Sequence, residues 1–156
     1  MKKENNKKLN NKEENRRAIN NITGVAGEYF VGAELSRRGW IAVLTLKNTP
    51  NIDVIATTPD GSRTLNIQVK TRSIGNRQGW IMSKGIETIM PSNNFYIAFV
   101  DLVGHGEKPD YFLIPKNVFA RWSAKRHKEW FSSPGLLGHV RVDNPIRTFD
   151  KPTFEV

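Results

Sequence analysis

A turn at Pro59–Ser62 constrains the fold of this chain more than any other feature of the sequence. It separates two segments, Ile52–Thr58 and Thr64–Thr71, that are rich in β-branched residues, and the second alternates apolar with polar positions. That pattern is typical of strands, and a short turn between two strands predicts a hairpin. With the turn centred in the middle of Pro59–Ser62, the register of the hairpin places Asp53 directly opposite Gln68.

The second strand of this hairpin has one polar and one apolar face. Side chains alternate between the two faces of a strand, so Asn66, Gln68 and Lys70 share one face. Cross-strand partners also point to the same face, with Cβ atoms about 5 Å apart. The sequence therefore predicts that Asp53, Gln68 and Lys70 project together. A loop of odd length would shift the register by one residue and separate them.

The remaining pattern predicts an α/β fold with a mixed central sheet flanked by helices. A helical stripe of apolar residues indicates a helix over about residues 23–38, and a second helix is expected at Lys116–Trp130. Residues 1–20 are expected to be a basic, disordered or loosely helical tail, and residues 21–156 a single domain. Further strands are predicted at Trp40–Leu46, Trp80–Met82, Phe95–Val100, Tyr111–Ile114 and His139–Val142.

The charge of the chain indicates which class of partner it binds. It carries 24 Lys and Arg against 15 Asp and Glu, a formal net charge of +9. Such an excess favours binding to a polyanion, most commonly nucleic acid, although it also serves solubility. The absence of cysteine excludes disulfides and thiolate metal sites. The apolar runs are too short to span a bilayer and no secretory signal is present, so we expect a cytoplasmic protein without a membrane partner.

The polar residues of the hairpin and of helix 1 have the chemistry of a metal site. Mg²⁺ prefers oxygen ligands, which Asp53, Gln68 and Glu28, on the flank of helix 1, would supply. Lys70 would orient a water molecule or neutralise the charge that develops on a phosphate. The alternative is structural: Lys70 pairs with Asp53 on a polar strand face, and Glu28 reaches solvent at the helix edge.

The order of these residues resembles the PD-(D/E)xK phosphodiesterase superfamily, which has the restriction-endonuclease-like fold. The start of the domain is most similar to the Holliday-junction-resolvase and Mrr-type branches, where a helix 1 glutamate precedes a Gly–aromatic pair, here Gly39–Trp40. The resemblance covers about residues 22–72. It implies an Mg²⁺- or Mn²⁺-dependent endonuclease that cleaves double-stranded or branched DNA. The catalytic residues it implies are Glu28, Asp53, Gln68 and Lys70.

The sequence departs from that family at two positions. The usual Pro-Asp pair is opened to Pro50–Asp53, and Gln68 stands where a glutamate is usual. An amide donates an oxygen but brings no charge, so we expect weaker metal binding and a single metal ion. One alternative is therefore a nucleic-acid-binding module of the same fold with little or no catalysis. A protein-interaction domain is a third class, and homodimer formation is left open.

Basic residues outside the motif are candidates for phosphate contacts if the domain is a nuclease. On the second helix they alternate with the aromatic residues Phe119, Trp122 and Trp130, which would stack bases or, alternatively, fill the core. The three histidines show no metal-ligand spacing. The predicted nucleic-acid-binding residues are Arg72, Arg77, Lys84, Arg121, Lys125 and Arg126.

Overall fold

The structure, a computed structural model, describes residues 2–46, 49–135 and 138–150. The helices are α1 (Lys2–Arg37), a short 3₁₀ helix (Lys84–Glu87) and α2 (Lys116–Ser132). The strands are β1 (Ile41–Leu44), β2 (Val54–Thr57), β3 (Thr64–Arg72), β4 (Trp80–Ser83), β5 (Phe95–Asp101), β6 (Asp110–Pro115) and β7 (Ile146–Phe149).

The central sheet of the described chain has five strands in the order β1-β2-β3-β5-β6. Only the pairing of β3 with β5 is parallel among these strands, and the other neighbours are antiparallel. The sheet is therefore mixed, which confirms the predicted fold class. A separate two-stranded sheet pairs β4 with β7.

The β2–β3 hairpin has the predicted register. Val54 faces Ile67 and Thr57 faces Thr64. The Thr58 N–H donates to the Arg63 carbonyl oxygen over 3.0 Å and closes the loop. Glycine at position 61 fits the loop because φ is +71° there, a region that side chains disfavour. The turn chemistry visible in the sequence is thus sufficient to fix the ladder.

Two apolar layers cover the two faces of the sheet. The first joins Val31 and Leu35 of α1 to Ile67 and Val69 of β3. The second contains Trp80, Ile97, Phe99, Phe119 and Phe149, supplied by β4, β5, α2 and β7. Since Gln68 faces Ile97 and Lys70 faces Phe99 in the β3–β5 register, the polar residues of β3 lie on the same face as the second layer.

Helix α1 is longer than the sequence pattern predicts. It begins at Lys2 rather than near residue 23, and it continues through the segment expected to be a tail. The side chains from residue 10 to residue 22 are all exposed. Because this part of the helix does not pack on the sheet, its sequence lacks the apolar stripe by which a packed helix is recognised. The predicted boundary at residue 20 stays a prediction, and residues 151–156 lie outside the described residues. In the described segments no helix is both long and apolar enough to cross a membrane.

The last strand is not where the sequence predicts it. No strand forms at His139–Val142 within the described residues; β7 forms instead at Ile146–Phe149. Tertiary contacts select this segment. Phe149 packs edge-on against Phe119 with ring centres 4.9 Å apart, and the Arg147 guanidinium donates to Glu87 over 2.5 Å.

Candidate functional site

Asp53 lies immediately before β2 and is hydrogen-bonded to both neighbouring segments. Its N–H donates to the Ile67 carbonyl oxygen over 2.8 Å, and its carbonyl oxygen accepts from the Thr45 N–H over 3.0 Å. Its carboxylate Oδ2 accepts from the Val69 N–H over 2.7 Å. Because Ile67 is already the register partner of Val54, two consecutive residues oppose one residue of β3, which is the arrangement of a β-bulge.

The bulge corrects the predicted pairing of Asp53 with Gln68. The regular ladder ends at Val54, and the Asp53 side chain reaches past Gln68 to the backbone of Val69. Bulges re-aim a side chain at the end of a strand. This one orients the Asp53 carboxylate through a backbone donor, and it brings that carboxylate towards α1.

Glu28 and Asp53 line the same cavity, which has a volume of about 380 Å³. Both side chains are half-buried. Two carboxylates in one cavity make it attractive to cations. Its other lining residues are Asn20, Asn21, Gly24, Val25, Thr45, Leu46 and Thr49.

Lys70 lines a neighbouring cavity of about 280 Å³. Burial lowers the pKa of the Lys70 ammonium, and the negative charge of Asp53 acts in the opposite direction. The predicted acid and lysine therefore lie within electrostatic reach of each other. Asn20 of α1 lines both cavities, so the same helix borders both. Hydroxyl and amide groups make up much of the rest: Thr23, Thr71, Ser73 and Asn76.

Gly27 allows α1 to approach β3 beside this site. A Cβ atom added at Gly27 would lie 1.8 Å from Thr71 Oγ1 and 2.9 Å from Thr71 Cβ. Thr71 Oγ1 is buried and has no hydrogen-bond partner among the described residues. The contact sets the distance between the helix that carries Glu28 and the strand that carries Lys70.

Gln68 lies on β3, but among the described lining residues it borders neither cavity. It is half-buried and pairs with Ile97. By strand alternation it shares a face with Lys70. Its role as a metal ligand stays a prediction.

Glu28 and Asp53 form a small candidate donor set for a hard cation. No three His, Cys, Asp or Glu side chains among the described residues converge as metal ligands. Glu28 and Asp53 supply two carboxylates in one cavity, and the remaining ligands of a Mg²⁺ ion would be neutral oxygens or water, as is common for this ion.

Arg72 is held in ion pairs within the domain. Its guanidinium contacts the Asp101 carboxylate in a very short hydrogen bond and the Asp150 carboxylate at 2.7 Å. These hydrogen bonds, to Asp101 above all, raise the Arg72 pKa. The guanidinium also lies over the Trp80 ring, 4.6 Å from its centre. Phosphate would have to displace these partners, so the structure gives Arg72 an internal role that the prediction did not include.

The other predicted phosphate contacts are exposed. Arg77 lies in the loop after β3, and Lys84 is 3.4 Å from Asp143. On α2, Lys125 lies 3.9 Å from Glu129 in an exposed pair of the kind that adds little stability. Exposed cations with weak partners remain available to a polyanion, and the α2 members of this set are Arg121, Lys125 and Arg126.

Phe119 and Trp122 of α2 are not free to stack on bases. Phe119 is 2% exposed, and Trp122 packs against the same apolar layer. Trp130 is more exposed, but its ring stacks on His127 with centres 5.5 Å apart and carries the Arg141 guanidinium at 4.6 Å. For Phe119 and Trp122 the alternative is therefore the correct one: these rings fill the core.

Lys116 is a buried cation that the sequence does not single out. It is the first residue of α2 and is 4% exposed. Its ammonium donates to the Ile86 carbonyl oxygen in a short hydrogen bond. Burial, with a smaller contribution from the positive charge of Lys70, lowers the Lys116 pKa to about 8, while Glu87 acts in the opposite direction.

This pKa predicts how stability depends on pH. Lys116 releases its proton near pH 8 in the folded protein, against 10.5 for an ordinary lysine. Between these two pH values the unfolded state binds more protons than the folded state, so the free energy of unfolding rises with pH. Below about pH 8 the cost of burying the charged Lys116 ammonium is fully present. Urea unfolding at several pH values should show that the stability difference between Lys116→Met and the wild type changes over this window. Parallel curves for the two proteins would contradict the assignment.

Comparisons with known proteins give limited similarity. No protein-family model matches the chain, and no curated protein is similar to it at a significant level. Among solved structures, the bacterial homing endonuclease I-Ssp6803I is similar to it with a TM-score of 0.43 and 18% sequence identity. The similarity covers 64% of this chain and 67% of that protein.

Proposed function

We propose that this protein is a metal-dependent endonuclease of the PD-(D/E)xK type that hydrolyses phosphodiester bonds in DNA. The observation that carries the proposal is the common cavity of Glu28 and Asp53 beside the Lys70 ammonium. In this proposal the two carboxylates are the candidates to hold a cation, and Lys70, within electrostatic reach of Asp53, is the candidate to contact the phosphate. The formal net charge of +9 favours a polyanionic substrate.

In this proposal Glu28 and Asp53 hold Mg²⁺ or Mn²⁺, and the Gln68 side-chain oxygen is a neutral ligand. When bound, such an ion polarises a phosphate oxygen and lowers the pKa of a water molecule. Asp53 keeps its orientation because Val69 N–H occupies Oδ2, which leaves Oδ1 for other contacts. Lys70 stabilises the negative charge that builds up on the phosphate, and its partial burial strengthens that interaction.

Cleavage assays test the proposal. Plasmid, linear duplex and branched DNA would be incubated with the protein and Mg²⁺ or Mn²⁺, with EDTA as the blank. We expect metal-dependent cleavage that falls about tenfold in Glu28→Gln, because the site loses one negative charge but keeps Asp53, the carboxylate that also supports the Lys70 ammonium. Glu107→Gln, in an exposed loop, is the matched control and should cleave like the wild type. Cleavage that survives both Asp53→Ala and Lys70→Ala would show contamination or another site.

A second candidate is a nucleic-acid-binding module that does not cleave. The observation in its favour is that Gln68 brings no charge and lines neither cavity among the described residues. Calorimetry separates the two candidates. Salt-sensitive DNA binding together with no binding of Mg²⁺ or Mn²⁺ supports the module, whereas metal binding that is lost in Asp53→Asn supports the endonuclease.

A further inference from the structure

The amino-terminal half of α1 is a basic helix that projects beyond the sheet. Residues 2–20 contain seven Lys and Arg against three Glu, a surplus of four in a chain whose total is +9. These residues belong to the continuous helix Lys2–Arg37. At 1.5 Å per residue they extend over about 28 Å, and the side chains of residues 10–20 are exposed. We name this segment, residues 2–20, the basic arm.

The basic arm leads directly into the candidate site. Asn20, at its end, lines both the Glu28/Asp53 cavity and the Lys70 cavity. Arg16 precedes Asn20 by about one helical turn, so the arm cations nearest the sheet lie about one turn from a residue that lines both cavities. A rigid helix therefore connects these cations to the residues of the site.

The cations nearest the site follow the helix face that packs on the sheet. At 100° per residue, Arg16 and Arg17 lie about 40° and 60° to either side of Asn20. Val31, which is buried against the sheet, lies only about 20° from Asn20 on the same projection. The face that contacts β3 further along the helix thus continues past the sheet as a cationic surface.

The internal partner of Arg17 holds it only weakly. Arg17 lies 3.8 Å from Glu13, and the two side chains are 76% and 62% exposed. Exposed pairs of this kind contribute at most about 1 kcal/mol. A phosphate group would compete with Glu13 at little cost.

We propose that the basic arm binds the phosphate backbone of double-stranded DNA next to the cleavage site, an inference that rests on the proposed function. Charge complementarity selects this partner, because duplex DNA presents a regular array of phosphates along its axis. The length of the arm corresponds to about eight base pairs. Because the helix is continuous, the arm fixes the direction in which the duplex leaves the Glu28/Asp53 cavity.

Binding of a fluorescent DNA duplex to the full chain in EDTA tests this inference without cleavage. The variant is Arg16→Gln/Arg17→Gln, and the matched control is Arg37→Gln/Arg38→Gln at the other end of α1, where both arginines bind Glu34. We expect the arm variant to bind about tenfold more weakly at low salt, with a salt slope reduced by about two. The control should stay within about twofold of the wild type.

Equal affinity of the arm variant and the control for the duplex would overturn the inference. So would a change in the molar mass of the arm variant by light scattering with an unchanged salt slope, since the arm would then join copies of the chain. Circular dichroism establishes that both variants keep their helix content. A failure of the proposed function is distinguishable from a failure of this inference. Salt-sensitive duplex binding without metal-dependent cleavage would contradict the endonuclease function but not the binding of DNA by the basic arm.

Discussion

An Asp53→Asn variant is expected to fold normally and to cleave DNA roughly a thousandfold more slowly than the wild type, a loss of several kcal/mol of charge stabilisation. Asparagine keeps an oxygen that can accept the Val69 N–H, which Asp53 Oδ2 accepts over 2.7 Å. The bulge before β2 therefore persists. What disappears is one of the two carboxylates in the 380 Å³ cavity, together with the negative charge that supports the Lys70 ammonium.

Two further variants, one at Asp53 and one at a distant acid, separate the effect of the Asp53 charge on activity from its effect on stability. Asp53→Ala removes the charge and the acceptor, so it should lose stability by about 1–3 kcal/mol as well as activity. Asp60→Asn changes an exposed acid at the far end of the hairpin and should cleave like the wild type. Initial rates with Mn²⁺ and urea unfolding measure the two effects. An Asp53→Asn protein with wild-type rates would eliminate this carboxylate from the mechanism.

Replacing Gly27 by alanine is expected to destabilise the fold by about 3 kcal/mol, near the upper end for overpacking. The added methyl group would meet Thr71 Oγ1 at 1.8 Å and Thr71 Cβ at 2.9 Å. Rotation of the threonine side chain does not move its Cβ atom, so α1 must shift away from β3. Glu28 is the next residue of the helix and would move with it, which should also lower the cleavage rate.

Gly24→Ala is the matched control on the same helix. A Cβ atom there has no neighbour within 4 Å among the described residues, and loss of a helical glycine should stabilise the protein by about 0.5–1 kcal/mol. Thr71→Ala should rescue Gly27→Ala in part, and a double-mutant cycle measures the coupling. Equal effects of the two glycine substitutions on the unfolding free energy would show that the close contact does not control stability.

The sequence predicts the central hairpin well because its signals are local. Strand alternation and the turn at Pro59–Ser62 together determine which residues face each other, and the observed ladder from Val54 to Thr57 follows them. The bulge at Asp53 was not predicted, because it depends on hydrogen bonds to Thr45 and Val69 that no local pattern records. The predicted partner of Asp53 is therefore wrong by one residue: its N–H pairs with Ile67 rather than with Gln68.

Features that depend on distant contacts could not be predicted from the sequence. The burial of Lys116 requires the Ile86 carbonyl oxygen, thirty positions away. The internal role of Arg72 requires Asp101 and Asp150. A lysine or arginine has the same appearance in a sequence whether it faces solvent or a carboxylate in the interior. The early start of α1 is a different case, because an exposed helix leaves no apolar stripe.

The parallel contact between β3 and β5 also sets an order in which the chain can assemble. Thr64 pairs with Thr57 across a short loop, whereas Asn66 pairs with Phe95 across a far longer one. Short loops close with less loss of entropy. The hairpin that positions Asp53 can therefore form during synthesis while β3 still has an open edge. Such an edge is a site of mispairing, so translation through β5 is the step that protects the nascent chain.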